Sequence, residues 1–211
     1  MLNEGDNAIG VKLGDGWYRG YIAFRGNRNE YGDHLGLLCQ LEITDEDGSI
    51  SIIGSNEEWK ASTGAILASD IYNGEKYDAR LEKNGWSSPG FDDSEWLPVR
   101  IGEDYDGKLI APAGPPIRKI EEIQPVEILK TPEGDTVLDM GQNMVGWIRF
   151  KVSGEAGTKI LIRHAEVLDK EGNFYTENLR AADQEIEYVL KGEAEEIYEP
   201  AFTFQGFRYI A

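Results

Sequence analysis

The sequence lacks several features that would assign it quickly to a specialised class of protein. Cys39 is the only cysteine among 211 residues, so no intrachain disulfide can form and a disulfide-rich scaffold is excluded. No apolar run approaches the length of a membrane span. The start, MLNEGDNAIG, has neither the basic region nor the apolar core of a signal peptide. We therefore expect no membrane partner, and a cytoplasmic location or one that this segment does not reveal.

Positive charge is scarce. Lys and Arg number 21 against 39 Asp and Glu, which gives a net charge of -18. Such a surface repels phosphate backbones, so nucleic acid is excluded as a partner. Neutral ligands such as sugars remain compatible with it.

Metal-binding motifs are missing as well. HExxH and CxxC do not occur, so a zinc site has no support. The run DEDG at 45–48 resembles part of a calcium loop, but Ile43 and Gly54 then occupy the first and twelfth ligand positions. We predict no metal and no cofactor.

Acidic residues are plentiful, but they do not form a recognisable catalytic pattern. A glycosidase needs two carboxylates on either side of the scissile bond. The carboxylates that could be nominated are Asp139, Glu166, Glu177 and Asp183. With 39 acids, close pairs arise by chance, and His164 in IRHAEVL is best interpreted as a hydrogen-bonded strand residue. We predict no catalytic residue in this chain.

Alternation of apolar and polar residues, typical of strands, runs through most of the sequence. LGLLCQLEI and SISII flank the turn DEDG and predict a hairpin. No long amphipathic helix is indicated. The pattern predicts an all-β fold of two consecutive antiparallel β-sandwich domains.

A proline-rich stretch divides the two halves. Residues 109–125 contain four of the eight prolines, which favours an extended linker. We place the boundary near Arg118, with domains at 1–118 and 119–211 and a hydrophobic core in each. Within the second core we expect Ile148, Phe150 and Val152 to be buried. The stretch DMGQNMVGW (139–147) is predicted to be a bend between two strands.

Two aromatic stretches are candidates for ligand binding. GDGWYRG (14–20) places aromatic residues beside an arginine in a glycine-rich loop, and DIYNGEKYDAR (70–80) is predicted to be a polar loop. Aromatic faces stack on sugar rings, while Arg and Asp bind hydroxyl groups. The candidate carbohydrate-binding residues are Trp17, Tyr18, Arg19, Tyr72, Tyr77 and Asp78. In the alternative interpretation, Trp17 closes the end of a sandwich core.

Six motifs together resemble bacterial α-L-rhamnosidases of glycoside hydrolase family 78. In chain order they are GDGWYRG, WKASTGAILASDIYNGEKYDAR, GWSSPGFDDSEW, LDMGQNMVGWIRFKV, RHAEVLDKEGNFYTENLRAAD and EPAFTFQGFRYI. They span almost the whole chain in the family's order. The resemblance implies a rhamnosidase N-terminal domain whose opening strands are absent, followed by a concanavalin-like domain. It also implies that the two β-sandwiches are of the jelly-roll or concanavalin-like type.

The resemblance also implies what lies outside the segment. The family's catalytic carboxylates belong to an (α/α)6 barrel downstream of GFRY, and in some members a related N-terminal domain binds L-rhamnose with calcium. The ligands expected before Trp17 would precede Met1, which argues against calcium here. We therefore expect a non-catalytic portion of a rhamnosidase, whose partners are a rhamnose-containing glycoside and the downstream barrel. The alternative is a freestanding L-rhamnose-binding module.

Overall fold

Strands dominate the computed structural model, which describes residues 2, 4–22, 26–102 and 108–211. The strands are β1 (Gln40–Thr44), β2 (Ile50–Gly54), β3 (Lys60–Ala61), β4 (Ile66–Asp70), β5 (Gly74–Asp78), β6 (Leu97–Pro98), β7 (Glu127–Lys130), β8 (Thr136–Gly146), β9 (Phe150–Val152), β10 (Lys159–Ala165), β11 (Val167–Leu168), β12 (Phe174–Tyr175), β13 (Glu185–Val189), β14 (Glu196–Tyr198) and β15 (Gln205–Ile210). The helical elements are the single turn α1 (Gly16–Arg19) and the 3-10 turns Ala79–Leu81 and Glu177–Leu179. The all-β prediction is confirmed. Within the described ranges, no helix has the length and apolarity needed to cross a membrane.

The chain divides into two compact units. The smaller unit comprises Met1–Leu13, Leu35–Thr63 and Asn84–Ile120, and the larger unit comprises Gly14–His34, Gly64–Lys83 and Glu121–Ala211. The predicted domains, 1–118 and 119–211, are uninterrupted segments, whereas each unit draws on three segments. The difference arises because strands from the first half of the chain join the sheet of the second half.

The smaller unit is built from short strand pairs. The predicted hairpin is present as β1 paired with β2, and the backbone N–H of Gly48 donates to Asp45 O at 2.9 Å in its turn. Trp86 and Trp96 stack with ring centroids 6.4 Å apart. None of the described residues of this unit is buried, so the core predicted for the first domain is not found there. Both buried hydrophobic clusters belong to the larger unit.

A seven-stranded sheet forms the larger unit, in the order β4-β5-β13-β10-β15-β8-β7. Strand β5 runs parallel to β13, and the other strand pairs of the described residues are antiparallel. The prediction that 70–80 is a polar loop is therefore wrong, because this stretch supplies an inner strand. Gly74 has φ +102, and a Cβ at this position would overlap the carbonyl oxygen of Glu185, so glycine is required where β5 begins beside β13.

Aromatic side chains fill the core beneath this sheet. Tyr188 is 2% exposed and its ring centroid lies 4.7 Å from that of Tyr198. The three residues predicted to be buried in the second core, Ile148, Phe150 and Val152, are half-buried and pack against this cluster. Packed aromatic pairs of this kind add about 0.5–1.5 kcal/mol each beyond the area that they bury.

The stretch DMGQNMVGW does not separate two strands, which corrects the sequence-based prediction. Residues 139–146 continue β8 without a break, and the pairing of β8 with β15 changes register between Phe207 and Tyr209. Gly141 has φ +82 and receives support from Asp139, whose Oδ1 accepts its N–H at 2.7 Å. The glycine thus permits an irregularity inside one long strand rather than a connecting loop.

His164 lies at the centre of the sheet, on β10. It is fully buried, its ring centroid lies 4.9 Å from that of Phe207, and its Nδ1 lies 2.8 Å from Gln184 O. Burial lowers the pKa of His164 from 6.5 to about 4, because the charged imidazolium loses its hydration. The imidazole is therefore neutral in the folded protein near neutral pH, with Nδ1 as the donor.

Replacing His164 with Gln should flatten the dependence of stability on pH between 6.5 and 4. In that window the unfolded chain binds a proton at this position and the folded chain does not, so stability falls as the pH falls. The pKa difference corresponds to roughly 3 kcal/mol. Urea unfolding across the pH range measures the slope, with His34→Gln at an exposed histidine as the control. An unchanged slope in His164→Gln would contradict this account.

Candidate functional site

Four of the six predicted ligand residues lie together in the larger unit. Trp17, Tyr18 and Arg19 lie in α1, and Tyr72 lies in the turn between β4 and β5. The rings of Trp17 and Tyr72 meet edge to face with centroids 5.6 Å apart, and both side chains remain about half exposed. The fold thus brings together two aromatic residues from distant parts of the sequence.

Asp70 fixes the position of this aromatic pair. Its Oδ1 accepts hydrogen bonds from the backbone N–H groups of Tyr72 and Asn73, at 2.8 and 2.9 Å. Its Oδ2 accepts from the backbone N–H of Tyr21 at 2.7 Å. One buried carboxylate therefore joins the β4–β5 turn to the segment that follows α1, and sequence reasoning did not identify it. The Asn-Gly dipeptide after it, a strong hairpin signal, could have revealed the turn.

Asp15 organises the two arginines beside α1. Its carboxylate lies 3.0 Å from Arg28 Nη2 and 3.5 Å from Arg19 Nε. The guanidinium of Arg28 also lies over the ring of Tyr21, at 5.2 Å from its centroid. Arg19 is predicted to bind hydroxyl groups directly, but its guanidinium also forms an ion pair with Asp15.

Next to these residues lies a cavity of about 210 Å³, here called the acidic pocket. Its polar lining comprises Asp15, Tyr21, Arg28, Ser69, Asp70, Asn73, Glu75, Lys76, Asp183, Glu185 and Glu187. Six carboxylates face two cationic side chains, so the pocket is rich in hydrogen-bond acceptors. Its volume is below the range of about 300–1,000 Å³ that suits drug-sized ligands. It matches a small polyhydroxyl molecule better than a large one.

Metal binding does not fit the side chains that the structure describes. No group of three or more His, Cys, Asp or Glu among them is arranged to hold an ion. The carboxylates of Asp15 and Asp70 instead have partners on the protein itself.

The remaining two predicted residues, Tyr77 and Asp78, lie on β5 and make contacts within the fold. The Tyr77 ring packs on Tyr188 and its hydroxyl donates to Glu82 Oε1 at 2.9 Å. Burial raises the pKa of Tyr77 above its ordinary value. Asp78 accepts two hydrogen bonds from the Arg80 guanidinium, at 2.9 and 2.6 Å. Both side chains stabilise the fold around β5.

Two of the four carboxylates considered for catalysis, Asp139 and Glu166, also have structural partners. Asp139 accepts two hydrogen bonds from Arg208, both at 2.8 Å, and these hold its pKa below the ordinary value. Glu166 accepts a hydrogen bond from Asn178 at 3.0 Å. An aspartate with a lowered pKa stays ionised near neutral pH and is unsuited to donating a proton.

The geometry thus defines a β-sheet protein with a small, acceptor-rich pocket beside an exposed aromatic pair. Comparison with known families gives its affiliation. Residues 1–121 match the α-L-rhamnosidase N-terminal domain, and residues 129–211 match the bacterial α-L-rhamnosidase concanavalin-like domain. The chain belongs to the bacterial α-L-rhamnosidase family.

Individual relatives agree with this assignment. An α-L-rhamnosidase of Streptomyces avermitilis is 46% identical over 99% of this chain but is matched over only 20% of its own length. One of Alteromonas is 35% identical over the whole chain and 23% of its own length. The chain therefore spans about a fifth of the length of the curated relatives it matches.

Solved structures contain the same fold. A native α-L-rhamnosidase from Aspergillus terreus has a TM-score of 0.90 and 44% identity, covering 94% of this chain and 23% of that one. The Streptomyces avermitilis enzyme, solved in complex with L-rhamnose, has a TM-score of 0.86 and 46% identity, covering 93% and 19%. The all-β architecture is therefore that of a rhamnosidase segment.

Replacing Asp70 with Ala should loosen the segment around the aromatic pair without unfolding the sheet. The change removes the acceptor of three backbone N–H groups, and each lost hydrogen bond of this type costs about 0.5–1.5 kcal/mol. Hydrogen exchange at Tyr21 and Tyr72 should accelerate markedly. Asp183→Ala, at an exposed carboxylate of the same pocket, is the matched control. If the amides of Tyr21 and Tyr72 are equally protected from exchange in the Asp70→Ala and Asp183→Ala variants, the role given to Asp70 is refuted.

Proposed function

We propose that this chain is the non-catalytic β-sandwich portion of an α-L-rhamnosidase, whose parent protein hydrolyses terminal α-L-rhamnosyl residues from glycosides. The observation that carries the proposal is the share of each relative's length that this chain covers. The chain is matched almost from end to end, yet it represents about a fifth of each relative. In this proposal the portion supports the catalytic barrel of the same polypeptide and helps to shape substrate access.

The roles of its acidic residues support a non-catalytic assignment. Inverting glycosidases need an acid and a base roughly 6.5–9.5 Å apart across a sugar-sized pocket, and the acid needs a raised pKa. Asp139 has the opposite shift, because Arg208 stabilises its ionised form. Its carboxylate instead fixes β8 to β15 through Arg208 and supports Gly141.

Purified chain 1–211 should therefore show no turnover of an aryl α-L-rhamnoside. The parent polypeptide, extended through the barrel, is the positive control and should be active. The measurement is the release of the aryl group under identical conditions. Turnover by the short chain that is lost in Asp139→Asn or Glu166→Gln would overturn the proposal.

Carbohydrate binding by the portion itself is the second candidate function, and the Trp17–Tyr72 pair beside the acidic pocket favours it. An exposed aromatic face suits the apolar side of a sugar ring, and carboxylate and amide oxygens accept hydrogen bonds from hydroxyl groups. This candidate covers the alternative of a freestanding L-rhamnose-binding module. We infer that such binding needs neither calcium nor another cofactor.

Calorimetric titration of chain 1–211 with L-rhamnose tests this candidate. The titration is done once with calcium present and once with a chelator. We expect weak binding that is independent of calcium and reduced at least about tenfold in Trp17→Ala, since one stacking contact is lost. Tyr31→Ala removes another exposed aromatic residue and should leave affinity unchanged. If no heat of binding is measured at millimolar rhamnose, the chain does not bind this sugar and the candidate function is rejected. If heat is measured only with calcium present, the inference that binding needs no cofactor is rejected.

A further inference from the structure

A continuous stretch of the chain before β7 is exposed and forms no strand. All residues from 108 to 126 are exposed, and Ile117 and Ile120 are 73% and 92% exposed. Within 109–118, no backbone group pairs with another backbone group of the residues that the structure describes. Residues 109–118, here called the exposed linker, are therefore accessible without any unfolding of the protein.

The exposed linker meets the structural requirements of a protease substrate. A protease binds its substrate as an extended chain, so a segment already paired in a sheet must first unfold, whereas the exposed linker needs no such step. Arg118, at the end of the linker, is an exposed basic residue. The bond that follows it joins Arg118 to Lys119 and has no proline on either side, since Pro115 and Pro116 lie further back. This bond is therefore suited to a protease that recognises a basic side chain.

A cut at this bond would leave the sheet of the larger unit paired, because the two resulting fragments share that sheet. Fragment 1–118 contains β4 and β5, and fragment 119–211 contains β7 to β15. Strand β5 lies between β4 and β13, and its parallel ladder with β13 extends over five residue pairs. The backbone of one fragment is thus paired with the backbone of the other inside the sheet.

Side-chain contacts between the two fragments reinforce this ladder. The hydroxyl of Tyr198 donates to the buried carboxylate of Glu75 at 2.7 Å. Lys191 Nζ lies 2.7 Å from Glu82 Oε2, and both side chains are only about a quarter exposed. Each contact joins a residue of the first fragment to a residue of the second. Cleavage of the linker removes none of them, so the fragments keep the contacts that hold β5 in the sheet.

We propose that the exposed linker is a proteolytic processing site, cut between Arg118 and Lys119, and that the two fragments remain one assembly through β5. The cleavage is a hydrolysis in which water adds across the peptide bond. It leaves a carboxylate on Arg118 and an amine on Lys119. The covalent link between the two halves is lost, while the ladder and side-chain contacts of β5 hold them together. This proposal concerns chain 1–211 itself and does not rest on the proposed rhamnosidase activity.

Limited digestion of chain 1–211 with trypsin, followed by mass spectrometry of the fragments, tests the site. We expect the cut after Arg118 to form at least about 100-fold faster than cuts within the seven-stranded sheet, because those need local unfolding. A variant with both Arg118→Gln and Lys119→Gln should stay intact over the same time. Lys108→Gln, just before the linker, is the matched control and should be cut after Arg118 as before. If the first cut lies inside the sheet, or the double variant is digested as fast as the control, the site is rejected.

Size-exclusion chromatography of the cleaved chain tests the assembly. The two fragments should elute together in native buffer and separate in urea. Lys191→Met removes an ion pair between the fragments and should weaken their affinity, measured by dilution, at least about threefold. Lys151→Met removes an ion pair with Glu195 inside fragment 119–211, so it is the matched control and should leave the affinity unchanged. Separation of the fragments in native buffer, or equal affinities of the two lysine variants, would refute the assembly through β5.

Discussion

A buried carboxylate, that of Glu75, is the contact on which the larger unit depends. The residue is 1% exposed and lies on β5. It accepts hydrogen bonds from the hydroxyl of Tyr198 at 2.7 Å and from the backbone N–H groups of Ala201 and Phe202 at 3.2 and 3.4 Å. A buried charge is costly unless such donors surround it. The carboxylate therefore holds the segment 198–202 in one arrangement against β5.

This contact explains why the folding units differ from the family boundaries. Glu75 belongs to the segment matched by the N-terminal domain, while Tyr198 belongs to the concanavalin-like domain. Strand β5 lies inside the sheet, between β4 and β13, and carries Tyr77 into the aromatic core. The concanavalin-like sequence on its own would expose the edge of β13 and leave the donors around Tyr198 without their acceptor. The site beside Trp17 depends on the same insertion, since Asp70 ends β4 and Tyr72 lies in the turn that leads into β5.

Sequence patterns predicted the strand-rich fold, the β1–β2 hairpin and the family, because alternation and turn residues are local signals. They failed at 70–80, where Glu75 faces the core and breaks the expected alternation of apolar and polar residues. The Asn73–Gly74 turn signal was present but was outweighed by the polar composition around it. For the candidate site, the sequence indicated Trp17 and Tyr72 as aromatic ligands. Their pairing, and the roles of Asp15 and Asp70, depend on contacts between distant segments that no local pattern reveals.

The stability of Glu75→Leu tests the central claim most directly. If the insertion of β5 is held by this carboxylate, the substitution leaves the buried Tyr198 hydroxyl and two partly buried backbone N–H groups without their acceptor. It should lower the free energy of unfolding by about 3 kcal/mol. Urea unfolding of chain 1–211 provides the measurement, and Glu127→Leu, at an exposed carboxylate on β7, should change it by less than about 0.5 kcal/mol. A Glu75→Leu variant as stable as Glu127→Leu would contradict the account.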